Sequence, residues 1–326
     1  MLVTDIKRTV YKGLKNEHEL TGFYMDKYLT ENLDSVPKFL SKSWDCVGIV
    51  SGHGKVRIGK STLASQVCFY LAWLLAGGEM GLGEDGKAFV SKFPTKKVRF
   101  ELKENVVFSA ESLQETAQKL YDKYGKNQVI LYDEGRQGLD SARAMESINK
   151  GMEDFFQECG FMGHVIIIVL PSFFKLHEDY AVARSLFLID AFADKKFDRG
   201  FFNFYNEHQK ELLYFFGKKK LGATAKYRSA NESFWGRFTK WLPFDKDEYE
   251  MLKKEELSKK RRTRRQKNLQ IQRDFLFWRL RKIHKEKYED VLNQMSEIVD
   301  VEMGKRAMQT AVQRINDIIA KSKGLF

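Results

Sequence analysis

Residues 46 to 62 read CVGIVSGHGKVRIGKST, and the rest of the chain is best read outward from them. Cys46 to Val50 form an apolar run without polar alternation, the pattern of a strand covered on both faces. Gly54-Lys55-Val56-Arg57-Ile58-Gly59-Lys60-Ser61 follows and fits G-x-x-x-x-G-K-[ST] without a mismatch. The next stretch, STLASQVCFYLAWLL, is helix-forming. Strand, glycine loop and helix in that order make an anion cradle, because glycine lets backbone amides turn inward and the helix N-terminus adds partial positive charge. The spacing predicts a nucleoside triphosphate site lined by Gly54 to Thr62. Lys60 is expected to reach the β- and γ-phosphates and the Ser61 hydroxyl to ligate Mg²⁺. The side chains of Lys55, Val56 and Arg57 are expected to point outward.

A second motif, QVILYDEG at 128 to 135, ends an apolar run in Asp133-Glu134. The carboxyl end of a strand is where parallel sheets bind ligands. Asp133 there can hold the Mg²⁺ shell through water, and Glu134 can orient and deprotonate an attacking water. A carboxylate straight after the magnesium aspartate points to hydrolysis rather than to phosphoryl transfer onto a small acceptor. A chance acidic turn is the bland alternative.

Further apolar runs at 106–110, 165–170 and 186–190 alternate with helical patterns at 61–76, 112–124 and 144–159. That alternation predicts an α/β fold with a mainly parallel sheet. FFNFY (201–205) and LLYFF (212–216), separated by NEHQKE, read as a β-hairpin over 201–216. Residues 1–44 read as a helical lead-in ending near Pro37 and the turn-like SKSWD at 41–45, 45–256 as the core, and 257–326 as a small all-α domain.

At 326 residues the chain is long enough for one large and one small domain. The most apolar window, VCFYLAWLLA, is about half of what a membrane span needs, and the opening MLVTDIKRTVYKG has no apolar signal region. A cytoplasmic protein is expected. Three scattered cysteines form no CxxC pair and suggest no disulfide framework.

The net charge of +12 is concentrated. Residues 253–287 hold 15 Lys and Arg against 4 Asp and Glu, leaving 41 against 40 elsewhere. Such a stripe is the footprint of a polyanion binder. A solvated charged helix and a membrane-surface helix are the competing readings. The expected DNA contacts are Lys259, Lys260, Arg261, Arg262, Arg264, Arg265, Lys267 and Arg273. Lys305 and Arg306 join them from a segment, MSEIVDVEMGKRAMQTAVQRINDIIAK, that resembles a helix-turn-helix unit and could equally be a bundle used for assembly. Phe275, Leu276, Leu280 and Ile283 are spaced to form one apolar face.

The two acidic and glycine-rich motifs resemble those of P-loop ATPases with an added central strand and a catalytic glutamate, the RecA-like and FtsK/HerA-like group. WDCVGIVSGHGKVRIGKSTLA, YDEGRQGLDSARAM, FFQECGFMGHVIIIVLPSFFKL and FWGRFTKWLPFDKDEYEMLKK look like ATPases of phages and other mobile elements. The resemblance covers roughly residues 40 to 255. It implies a RecA-like core with strand order 5-1-4-3-2, ATP and Mg²⁺ as cofactors, and a ring or helical oligomer of identical subunits, with a hexameric ring expected. It implies a polar sensor after the fourth strand, where this chain offers Ser172 beside Pro171. It also implies an arginine supplied by a neighbouring subunit, for which Arg143 and Arg184 are preferred over Arg136. The expected activity is a DNA-dependent ATPase that moves, packages or remodels DNA for a virus, acting in the host cytoplasm, or for another mobile element. A nucleotide-switched DNA loader and a small-molecule kinase are the rivals.

Overall fold

The protein is described by a computed structural model that covers residues 25–42, 44, 46–52, 57–82, 88–133, 153, 160–220, 227, 229–285, 287–290 and 305–323. In chain order the elements are α1 (Lys27–Leu33), α2 (Val36–Ser41), β1 (Cys46–Gly52), α3 (Lys60–Leu75), β2 (Glu79–Leu82), β3 (Ala88–Lys92), α4 (Leu102–Asn105), β4 (Val106–Val107), α5 (Ala110–Tyr124) and β5 (Val129–Asp133). Then come β6 (Val165–Val169), β7 (Phe187–Phe192), β8 (Phe201–Tyr205), α6 (Glu207–Tyr214), β9 (Phe234–Arg237), α7 (Lys246–Lys282) and α8 (Lys305–Lys323).

Seven strands form one sheet in the order β4-β5-β6-β1-β7-β8-β9, and β2-β3 form a separate antiparallel pair. The first five of those seven are parallel, and β8 and β9 extend the edge antiparallel. β1 lies at the centre, with Gly48 opposite Phe187 of β7 on one side and Ile167 of β6 on the other. This is an α/β fold whose sheet is largely parallel.

The strands are apolar throughout because both faces are covered. Along β1, Cys46 and Val50 join one hydrophobic cluster while Val47 and Ile49 join the other. α3 covers the first face and is buried at every residue from Leu63 to Leu74, as a helix apolar all round must be. Leu113, Ala117 and Leu120 of α5, with Leu213 and Tyr214 of α6, cover the second face. Ser109 starts α5 by a reciprocal capping box with Ser112, which shortens the strand expected at 106–110 to two residues because Ser109 and Ala110 go to the helix.

The expected hairpin over 201–216 is overturned. Phe201–Tyr205 is a strand, but it pairs with β7 and β9, while residues 207–214 are α-helical and continue as a π-helical stretch over Phe215–Lys220. The stretch read as a turn is the start of the helix. Asn206 caps it by accepting from the Gln209 amide, and Lys210, Leu213 and Tyr214 then fall on one buried face. Lys210 is fully buried, and its ammonium donates to the Val182 carbonyl at 3.0 Å and to Ser185 Oγ at 2.7 Å. Burial pushes its pKa down to about 8, against the opposing pull of Glu207 and Glu211.

Pro37 lies in the first turn of α2, where proline is tolerated because no amide partner is needed, and α2 ends at Ser41, the first residue of the SKSWD stretch. Leu29, Leu33 and Leu40 of this lead-in are buried against the sheet's first face. The expected helix at 144–159 lies outside the described residues apart from Glu153.

The chain divides into two compact units, Met1–Lys253 and Lys254–Phe326, with the division inside α7. The second unit has its own small core of Phe277, Met308, Ala311 and Val312, joined by Trp278, Leu280 and Tyr288. Asp274 is fully buried there and is paired with Arg273 at 2.8 Å and with Arg314. The apolar face expected from Phe275, Leu276, Leu280 and Ile283 is not the buried one: Phe275, Leu276 and Ile283 are exposed. Phe277, on a different side of the helix, faces the core. Among the described residues no helix is long and apolar enough to cross a membrane.

Candidate functional site

β1, β5, β6 and β7 run parallel, so their carboxyl ends share one edge of the sheet. β1 leads there through Gly52. A Cβ on Gly52 would lie 2.3 Å from the Ile58 side chain and 3.0 Å from the Ala191 carbonyl, so Ile58 packs tightly against the strand end. Ile58 is buried, and Arg57 is exposed with a left-handed φ of 60°. Gly59 precedes α3 at φ 94°, a conformation that L-residues with a Cβ rarely hold. The ring of Phe238 lies so close that a Cβ on Gly59 would meet it at 2.8 Å. Lys60, Ser61 and Thr62 then form the first turn of α3, where the helix leaves amides unbonded. Gly54, Lys55 and Val56 lie outside the described residues.

Asp133 is the last residue of β5 and is buried. Its Oδ2 accepts from the Tyr249 hydroxyl and, at 2.8 Å, from the Lys253 ammonium. The same ammonium is 3.4 Å from Ser61 Oγ. Lys253 therefore bridges the two oxygens expected to hold a divalent cation. Both are hard donors of the kind Mg²⁺ takes, and a cation already sits between them, so the donor set suits a cation. Among the described residues no group of three or more His, Cys, Asp or Glu could hold a metal. A metal at Ser61 and Asp133 would therefore draw its other ligands from outside these side chains.

Burial lowers the Lys60 pKa, Asp133 and Asp190 oppose that effect, and Lys253 adds to it. Asp190 is fully buried on β7, next to the central strand. Burial pushes the Tyr249 phenol well above its usual value, and Asp133 adds to the rise, so Tyr249 stays protonated and donates.

Tyr249 and Lys253 come from α7, one turn apart on one face, and the chain anchors them from α3. Gln66, buried in α3, donates to the Thr239 carbonyl at 2.9 Å and to the Trp241 carbonyl at 2.8 Å. The Trp241 ring packs edge-on to Phe69 at 5.2 Å. Phe238, on Gly59, donates its amide to the Gly200 carbonyl at 2.8 Å. The stretch between β9 and α7 is thus laid across the helix that follows the glycine loop. The ring of Tyr249 is stacked on Phe244 at 5.4 Å and lies 5.8 Å from Phe108.

Ser172 follows β6 at the same edge, where it hydrogen-bonds to the Tyr227 hydroxyl. That hydroxyl accepts from the Phe173 amide at 2.8 Å and donates to Ser51 Oγ at 3.0 Å. The expected sensor is therefore linked to β1 through a tyrosine. Arg184 is exposed and ends the π-helical segment Asp179–Arg184 that leads into β7. It stands beside the beginning of β7, at the sheet edge opposite the Lys60 turn. Glu134, Arg136 and Arg143 lie outside the described residues.

Of the expected DNA contacts, Lys259, Lys260, Arg261, Arg262, Arg264, Arg265 and Lys267 fall within α7, with side chains outside the described set. Arg273 is half-exposed and bound to Asp274, and Arg306 is exposed on α8. The Lys305 side chain is outside the described set.

Sequence reasoning missed Tyr249, Lys253 and Gln66. Their only local signal is the four-residue spacing of Tyr249 and Lys253 ahead of a charged helix. No family model matches the chain, and neither the curated proteins nor the solved structures give a match.

Proposed function

We propose that this protein is a Mg²⁺-dependent P-loop ATPase that acts on DNA, coupling ATP hydrolysis to moving, packaging or remodelling it. The observation that carries the reading is the meeting of Lys60 and Ser61, from a glycine turn with positive φ, with the buried Asp133 from a separate strand. The strand order supports it: read from the β7 side, the parallel strands run 187–192, 46–52, 165–169, 129–133, 106–107, which in order of appearance is 5-1-4-3-2.

In this reading the Gly54–Thr62 turn holds the triphosphate, Lys60 contacts its terminal phosphates and Glu134 deprotonates water. Mg²⁺ at Ser61 and Asp133 supplies charge neutralisation on the phosphates when bound. Ser172 senses the terminal phosphate through the Tyr227 link. An arginine, Arg143 or Arg184, completes the site of a neighbouring subunit in a hexameric ring. The cations of α7 from 259 to 267 grip DNA phosphates. The protein works in the cytoplasm, that of the host if its origin is viral.

A second reading is a nucleotide-switched DNA-binding protein with slow turnover and no translocation. The Lys253 ammonium between Ser61 and Asp133 favours it, because that contact must open before a metal–nucleotide complex can close the site.

The test is steady-state ATP hydrolysis without DNA and with single- or double-stranded DNA, using Lys60→Ala as the blank. Turnover should fall at least about a hundredfold in Lys60→Ala, the scale of removing one preorganised charge contact, and DNA should stimulate the wild type. Equal turnover in Lys60→Ala would remove the reading. Stimulation without strand displacement or tracking on a labelled duplex would favour the switch over the motor.

A further inference from the structure

The Lys253 ammonium lies where a hard divalent cation would lie, between Ser61 Oγ and Asp133 Oδ2. Its side chain is 14% exposed and that of Asp133 2%, so the contact is enclosed rather than a surface ion pair screened by water. We infer that Lys253 is the resident cation of the metal position, holding Asp133 in the nucleotide-free protein and yielding that carboxylate to a divalent cation. This rests on the reading of Ser61 and Asp133 as metal ligands given above.

Three features make Lys253 the group that leaves. Its contacts are unequal, 2.8 Å to Asp133 against 3.4 Å to both Ser61 Oγ and the Tyr249 hydroxyl, so the two hydroxyls are only loosely engaged. Its charge sits on a flexible four-carbon arm and is strongly hydrated once released. Tyr249 differs on both counts: its ring is fixed by Phe244 and Phe108, and its hydroxyl is neutral. Tyr249 can therefore keep orienting Asp133 while Lys253 departs.

Electrostatics makes the exchange mutually exclusive. Lys60 already brings one positive charge to Asp133, and a divalent cation brings two more. Keeping the Lys253 ammonium on the same oxygen as the metal, with Lys60 nearby, would be opposed by like-charge repulsion in a partly desolvated site. The chain thus keeps a buried carboxylate neutralised without metal, and binding the metal means expelling a lysine rather than filling an uncompensated site. Metal affinity is lowered by that competition, and a nucleotide that brings its own metal ligands would restore it.

The experiment titrates Mn²⁺ into the full-length protein, alone and with saturating ADP, and reads free Mn²⁺ by electron paramagnetic resonance. Lys253→Met, Lys253→Arg and Asp133→Asn are compared with wild type, with circular dichroism checking that each is folded. Lys253→Met should bind Mn²⁺ about tenfold more tightly or better, the scale of removing a competing unit charge at contact distance. Lys253→Arg, which keeps the charge, should stay near wild type, and Asp133→Asn should lose binding. Unchanged affinity in a folded Lys253→Met, with binding still lost in Asp133→Asn, would overturn the resident-cation role and leave the metal site standing. Binding that survives in Asp133→Asn, or is absent from every form, would overturn the metal reading itself.

Discussion

The turn at Gly59–Ser61 and the face of α7 bearing Tyr249 and Lys253 reach the same carboxylate by opposite routes. The turn follows β1 directly, and every feature it needs is local: a left-handed glycine, a lysine and a hydroxyl at the first turn of α3. The α7 face arrives from nearly 190 residues later and depends on a relay through Gln66, Trp241 and Phe244. Local geometry makes the first legible as a motif. The second exists only once β9 and the segment after it have been laid across α3. A site assembled in this way has one part shaped by local backbone geometry and another that depends on the tertiary fold.

Substitution of Gly59 tests the local half and should have the largest effect. Gly59→Ala places a Cβ at φ 94° and against the Phe238 ring, and it should lower stability by about 2–3 kcal/mol. Phe238→Ala in the same chain should recover the steric part and leave the backbone strain, so the double mutant should be less damaged than the sum of its parts. Urea unfolding of the four forms measures this. Strict additivity would mean that the ring does not press on the turn and that the two halves of the site are less coupled than the geometry says.

Gln66→Leu tests the relay with a side chain of similar bulk. It leaves the Thr239 and Trp241 carbonyls without their donor and should cost about 2 kcal/mol. Amide exchange should accelerate between residues 239 and 253 while β1 and the first turn of α3 keep their protection. Equal acceleration in both would show that the turn and the α7 face unfold together, and the distinction between them would fail.

That division tracks what the sequence could tell. The sheet's parallel strands were readable because residues such as Val165–Val169 are apolar at every position, which only double coverage explains. Lys60, Ser61 and Asp133 were readable because each sits at the end of such a strand or just past it. Residues 212–216 were misread because Leu-Leu-Tyr-Phe-Phe is as apolar as a strand. The deciding facts are the Asn206 cap, which is local, and a buried lysine, which depends on Ser185 being nearby. Tyr249 and Lys253 were not readable because nothing in YEMLK says that Asp133 lies opposite. The buried side of the second unit was misread for a related reason: Asp274, a charged residue, is inside because Arg273 and Arg314 pair with it.

The smallest effect comes from a residue on the face of the sheet away from α3, and it gives the comparison its control. His164 is buried, its Nδ1 accepts from the Gln128 amide at 3.1 Å, and its Nε2 faces the Ala117 carbonyl at 3.0 Å. Those partners fit the neutral ring, and burial lowers its pKa, with the Ala117 carbonyl opposing. The unfolded chain therefore takes up a proton at this ring before the folded one does. The stability this neutral ring contributes is present above the ordinary histidine range and is lost as pH falls through the lowered folded value. His164→Gln removes the titration and should cost about 1 kcal/mol at neutral pH through the altered hydrogen bonds. Urea midpoints taken from pH 7.5 down to 5 should then fall less steeply in the variant than in the wild type. Because His164 leads directly into β6, the strand paired with β1, a change in the proposed nucleotide affinity in His164→Gln would mean that the sheet transmits strain to the Gly59 turn. Unchanged affinity with a flattened acid slope would confine the coupling to the α3 side, where the Gln66 relay runs.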